Sequence, residues 1–176
     1  MVICHSSGPG PGLARSLVIA AGGGRDLAWP HQRVAAELLA RSGGRSVQRL
    51  FHGGARGADA AIARAAHQLG WPALALPAAW ERHGRAAGPI RNRELLEQAV
   101  ARAVAHTSPG SSASVLVVAF PGGPGTASLV QQARRMAARS PVPIAVAEVS
   151  ASAGLQAVPA AAVSRHRKLS QRRHEN

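Results

Sequence analysis

Residues 115–126 read VLVVAFPGGPGT, a β-branched apolar run that ends in a glycine-rich turn. The unbroken apolar stretch from Val115 to Phe120 suits a central strand of a parallel sheet, covered by helices on both faces. Pro121 has no backbone donor and stops the ladder. Gly122, Gly123 and Gly125 let the main chain turn sharply and come close to a ligand. Thr126 stands where a cap is expected for a helix running through Ala127, Val130 and Met136. Amides at the positive end of a helix form an anion site, and phosphate is the usual anion. A tight turn whose glycines serve chain geometry alone has the same sequence, so this stretch by itself leaves its purpose open.

The same grammar recurs along the chain. Ser16 to Ala21 reads as a first strand and runs into Gly22, Gly23, Gly24, Arg25 and Asp26. After Trp29-Pro30, with Pro30 suited to a first helical position, Val34, Leu38 and Leu39 mark one face of a helix that Gly43-Gly44 ends. Val47 to Phe51 is a second strand, followed by HGGARGAD (residues 52–59) and an alanine-rich helix closed by Gly70. Ala73 to Leu76 is a short third strand. A longer basic loop, AAWERHGRAAG (residues 78–88), precedes a helix expected to start at Pro89, with Leu95, Leu96, Ala99, Val100 and Ala103 on its apolar face. A Ser-rich linker over residues 107–114 leads into the VLVVAF strand, and Val142 to Val149 is a fifth.

Strands alternating with helices predict an α/β fold: a Rossmann-like open parallel sheet of about five strands with helices on both faces. In such sheets the βα turns gather at the carboxyl edge, and ligands bind there at the topological switch point. The turns nominate Gly23, Gly24, Arg25 and Asp26; Gly53, Gly54, Arg56, Gly57 and Asp59; Arg91 and Asn92; and Gly122, Gly123, Gly125 and Thr126 as ligand contacts in one crevice. Residues 16–149 form the expected nucleotide-binding domain. Residues 1–15, rich in Gly, Pro and Ser, read as a flexible extension, and residues 150–176 as an Ala/Ser-rich, then basic, solvated tail.

Composition narrows the partners. A formal net charge of +13, from 21 Lys+Arg against 8 Asp+Glu, points to an anionic partner. Lys168 is the only lysine, however, so the placement of arginines says more than the total. A single cysteine, Cys4, excludes an internal disulfide and argues for a reducing compartment. The first residues lack the basic and apolar regions of a signal peptide, and no apolar run spans a bilayer, so the expectation is a cytoplasmic protein without membrane partners. Helix faces rich in Ala and Leu leave room for a homo-oligomer.

Cofactor motifs are missing. No glycine precedes a lysine, as a P-loop requires, and the first turn lacks G-x-G-x-x-G. The eight histidines show no metal-ligand spacing. The expectation is therefore no metal and no bound cofactor.

HGGARGAD, the run W-E-x-x-G-x-x-A-G-P-x-R-N-R-E from Trp80 to Glu94, and A-F-P-G-G-x-G-T from Ala119 to Thr126 together resemble the YspA-like branch of the SLOG superfamily. That superfamily also holds the Smf/DprA DNA-processing proteins and the Lonely Guy phosphoribohydrolases. The resemblance covers roughly residues 18–149 and implies a Rossmann-like sheet that binds nucleotides or nucleotide-derived ligands. It matches Gly122, Gly123, Gly125 and Thr126 to the phosphate-binding turn of the Lonely Guy enzymes, and Arg91 to the arginine those enzymes hold near the glycosidic bond. The glutamates that follow the Gly-Thr pair in those enzymes are replaced here by Ser128 and Leu129. Cleaving an N-glycosidic bond passes through an oxocarbenium-like state that a carboxylate stabilises, so the departure bears on hydrolysis more than on binding. Among the remaining acids of that edge, Glu94 shares a helix turn with Arg91 and is the first stand-in; pairing with Arg91 is its plainer role.

Three functions stay open on these grounds. The first is binding or sensing of a nucleotide-derived phosphate ligand. The second is nucleotide N-glycosidic hydrolysis by Arg91 with Glu94 or Asp59. The third is single-stranded nucleic acid binding, which the low aromatic content of 3% disfavours. The lysine decarboxylase label attached to some P-G-G-x-G-T proteins is rejected, because pyridoxal chemistry needs a Schiff-base lysine and Lys168 lies in the basic tail.

Overall fold

A computed structural model describes residues 14–152. Strands β1 (Ala14–Gly22), β2 (Ser46–His52), β3 (Ala73–Ala75), β4 (Ser111–Ala119) and β5 (Ile144–Glu148) form one sheet of five strands in the order β3-β2-β1-β4-β5. Every pairing is parallel. Helices α1 (His31–Ser42), α2 (Ala58–Leu69), α3 (Trp80–His83), α4 (Ala87–Ala105) and α5 (Pro124–Ala137) connect them, with a single 3-10 turn at Gly84–Ala86. This is the Rossmann-like arrangement expected from the alternation of strand and helix patterns.

The two layers follow from the pleat of β1. Side chains alternate across a strand, so Leu17, Ile19 and Ala21 face the core shared with α1 and α2, including Val34, Leu38, Ile62 and Leu69. Val18 and Ala20 face the opposite core, with Leu95, Leu96 and Ala99 of α4 and Leu129 and Ala133 of α5. With so few aromatic residues, the helices lie close on alanine, as at Ala58, Ala61, Ala65 and Ala66 of α2. Phe120 at the end of β4 is fully buried and meets Trp29 edge-on, with ring centroids 6.3 Å apart.

Several local expectations are corrected. The first strand begins at Ala14, so the supposed extension is strand from that residue; residues 1–13 and 153–176, and with them the basic tail, lie outside the described residues. Pro30 is the N-cap of α1, one place before the first helical position. The second half of the Ser-rich linker is strand, because β4 starts at Ser111 and pairs with Ala14. Helix α4 starts at Ala87 and carries Pro89 within its first turn, where a missing N–H leaves no bond unmade. The basic loop is partly helical, as α3. No helix is long and apolar enough to cross a membrane, among the described residues.

Candidate functional site

In the order β3-β2-β1-β4-β5, the chain leaves β1 toward one face of the sheet and leaves β4 toward the other. The two carboxyl ends therefore part and open a crevice. A cavity of about 500 Å³ lies there, walled by main chain at Gly22–Gly24 and Gly123–Thr126 and by Asp59, Arg91 and Asn92. The turns that frame it are joined through backbone atoms. Phe120 N–H donates to Gly22 O (2.8 Å), Gly24 N–H to Pro121 O (2.9 Å) and Ala58 N–H to Gly24 O (3.0 Å).

The glycines of these turns divide into two kinds. A Cβ on Gly23 would stand 2.7 Å from the Ala58 Cβ and 2.8 Å from that of Phe120. One on Gly24 would press on Gly122 and the Pro121 carbonyl, and one on Gly122 would strike the Thr126 hydroxyl. On Gly53 it would overlap the Arg91 guanidinium, and on Gly57, at φ +71°, it would collide with the Arg25 carbonyl. These positions are glycine because protein atoms fill the space. Gly123 and Gly125 are different: a Cβ on either would meet nothing within 4 Å, and neither has positive φ.

Thr126 does not cap α5. The helix already begins at Pro124, a favoured first position for proline, with Gly123 as its N-cap and no side-chain cap bond. Thr126 sits inside the first turn, its N–H bonded to Gly123 O at 3.0 Å. Asn92, buried at the head of α4, donates Nδ2 to Gly125 O at 3.1 Å, and Gln132 donates to Pro89 O at 3.1 Å. Each of these bonds ties the first turn of one helix to a later turn of the other.

Arg91 reaches from α4 under the β2–α2 turn. Its Nη1 lies 3.6 Å from Asp59 Oδ2, and both side chains are largely buried, at 17% and 5% exposure. The same Asp59 oxygen accepts the Ala55 N–H at 3.2 Å, so Asp59 ties the turn to the arginine. Arg91 Nε is buried with no hydrogen-bond partner among the described residues. Beside them His52, also buried, accepts the Gly54 N–H on Nδ1 at 3.2 Å. Burial pushes its pKa below the usual 6.5; Asp59 opposes that shift and Arg91 adds to it.

The rim holds the remaining candidates. Arg25 lines the cavity with its guanidinium carbon 4.6 Å from the centre of the Trp80 ring. Arg56 pairs with Asp26 at 3.0 Å, both well exposed, and neither lines the main cavity. Gly53, Gly54, Gly57 and Gly122 do not line it either. Glu94 is exposed on α4 and does not reach the cavity. The partner of Arg91 is Asp59, not Glu94: the Arg91 side chain turns inward to the buried Asp59, while Glu94 stays exposed on the surface of α4. Arg85, from the basic loop, lines the cavity and escapes the sequence reading; its only sign is its place among the cations of that loop. Arg25, Arg85 and Arg91 thus face a cavity whose single carboxylate is Asp59.

A separate concavity of about 410 Å³ between α5 and β5 is spanned by Arg134 and Glu148, paired at 2.6 Å, with Arg135 also on its wall. The chain matches no protein-family model, no curated protein and no solved structure.

Proposed function

We propose that the crevice between β1 and β4 binds a nucleotide or nucleotide-derived phosphate ligand, and that the chain is a diverged relative of the YspA-like SLOG proteins it resembles. The observation that carries this reading is the open space at Gly123 and Gly125. Nothing inside the protein asks for glycine there, whereas a phosphate against the first-turn amides of α5 does. Arg91, at the wall of the same crevice, supports it, and three guanidinium groups against one carboxylate leave the cavity cationic. Asp59 holds Arg91 in place, so the arginine meets an anion with little ordering still to do.

Calorimetric titration with nucleoside monophosphates tests this. Saturable binding is expected, weakened on the order of 100-fold by Arg91→Ala, the loss of two charge-assisted hydrogen bonds. Failure of every nucleoside monophosphate to saturate the protein at millimolar concentration would end the proposal.

Hydrolysis is the second reading, because Asp59 is a carboxylate within the cavity beside Arg91. Binding is favoured over it for a specific reason: Ser128 and Leu129 line the wall where the Lonely Guy enzymes carry glutamate. Release of free base from a nucleoside monophosphate, abolished by Asp59→Asn, would reverse that order.

A further inference from the structure

Resting on the phosphate-binding reading above, we propose that Trp80 is the platform on which the ligand's nucleobase stacks, and so the residue that selects a nucleotide over a simple sugar phosphate. The chain has three tryptophans. Trp71 is buried, and Trp29 packs on Phe120 with Arg33 over its ring. Trp80 alone among them is open to solvent, at 46% exposure, and no core needs it.

Among the described residues Trp80 is the only aromatic side chain lining the crevice, and it also lines an adjoining hollow of about 520 Å³ with Arg25 and Arg56. The crevice and the hollow meet at Arg25 and Trp80. The phosphate end offers amides, Arg91 and Asp59, which suit charge and hydroxyl groups and give a flat apolar ring nothing to lie on. The indole offers that surface. Its Cη2 edge lies against Gly88, where a Cβ would stand 3.4 Å away. The Arg25 guanidinium now covers one face, and Arg25 has no ion-pair partner among the described residues. A base arriving on that face takes the place of the guanidinium, and the freed cation stays beside the ligand's negative charge. Stacking on an aromatic side chain tolerates any base, so the platform selects for a base without choosing which.

The test compares AMP, GMP, CMP and UMP with ribose 5-phosphate, which has the phosphate and sugar without the base. Wild-type protein is expected to bind at least one nucleotide about tenfold more tightly than ribose 5-phosphate, with quenching of tryptophan fluorescence. Trp80→Ala is expected to bring the two to parity and to leave ribose 5-phosphate within about twofold of wild type. Trp80→Phe should keep most of the preference. Parity in the wild type would overturn the proposal, as would a preference that survives Trp80→Ala. Equal weakening of both ligands would assign Trp80 to the shape of the loop instead. If neither class of ligand binds, the phosphate reading itself falls and this inference with it, an outcome distinct from parity.

Discussion

The β2–α2 turn, HGGARGAD, and the β4–α5 turn, PGGPGT, look alike as sequence and differ in what surrounds their glycines. In the first, missing side chains make room for the protein itself: Gly53 admits the Arg91 guanidinium and Gly57 the Arg25 carbonyl. In the second, Gly122 is packed in the same way, but Gly123 and Gly125 face empty space. The first turn works as a bracket that holds Arg91 and Asp59, and under the proposed function the second is the surface those residues serve. Glycine-rich junctions at one sheet edge need not all face open space; some make room for the protein itself.

Substitutions at the two turns should therefore separate stability from binding. The largest effect is expected at Gly57→Ala, where a new methyl collides with backbone at a positive φ. A loss of about 3 kcal/mol, roughly 6–12 °C in Tm, should appear in thermal melts. An unchanged melt would show that the bracket is softer than described. Gly125→Ala should do the reverse. It lies in the first turn of α5 with nothing nearby, so Tm should hold or rise slightly, as helix propensity favours alanine by up to about 1 kcal/mol. Nucleotide affinity should fall about tenfold as the methyl enters the phosphate position. Equal affinity in this variant would remove the contrast between the turns.

The smallest effect concerns pH and sharpens the bracket. Burial lowers the pKa of His52, so the folded state resists its protonation while the unfolded chain accepts a proton near 6.5. The contribution of neutral His52 is fully present above that value and is lost as pH falls from 6.5 through the lowered folded pKa. Protonation also costs the Nδ1 acceptor that holds the Gly54 N–H. Tm should decline over that interval, and His52→Asn, which keeps an acceptor near the Nδ1 position, should flatten the decline.

Much of this molecule is legible in its residues. Runs such as VLVVAF and SLVIA are apolar on both faces, which only a sheet covered twice requires, and the glycines that follow them mark the carboxyl edge. Arg91, Asp59 and the β4–α5 turn do meet there. The residues place Arg91 and Asp59 in one crevice but not in direct contact across 32 positions, because sequence spacing shows neighbours on one helix and says nothing of a side chain crossing from α4 to α2. Glu94 looked suitable for that reason alone. Thr126 looked like a cap because proline at Pro124, read as turn, in fact opens the helix. Arg85 was hidden in a loop whose fold, a short helix and a 3-10 turn, has no periodicity to read.

The bonds that lace Gly22, Gly24, Ala58, Phe120 and Pro121 together run through main-chain atoms. The frame of the crevice is accordingly indifferent to the side chains that line it. Ser128, Trp80 and Arg85, none of them in the core, could be exchanged to recast its chemistry while the scaffold stays as it is, which makes this edge a natural starting point for building receptors toward small anions.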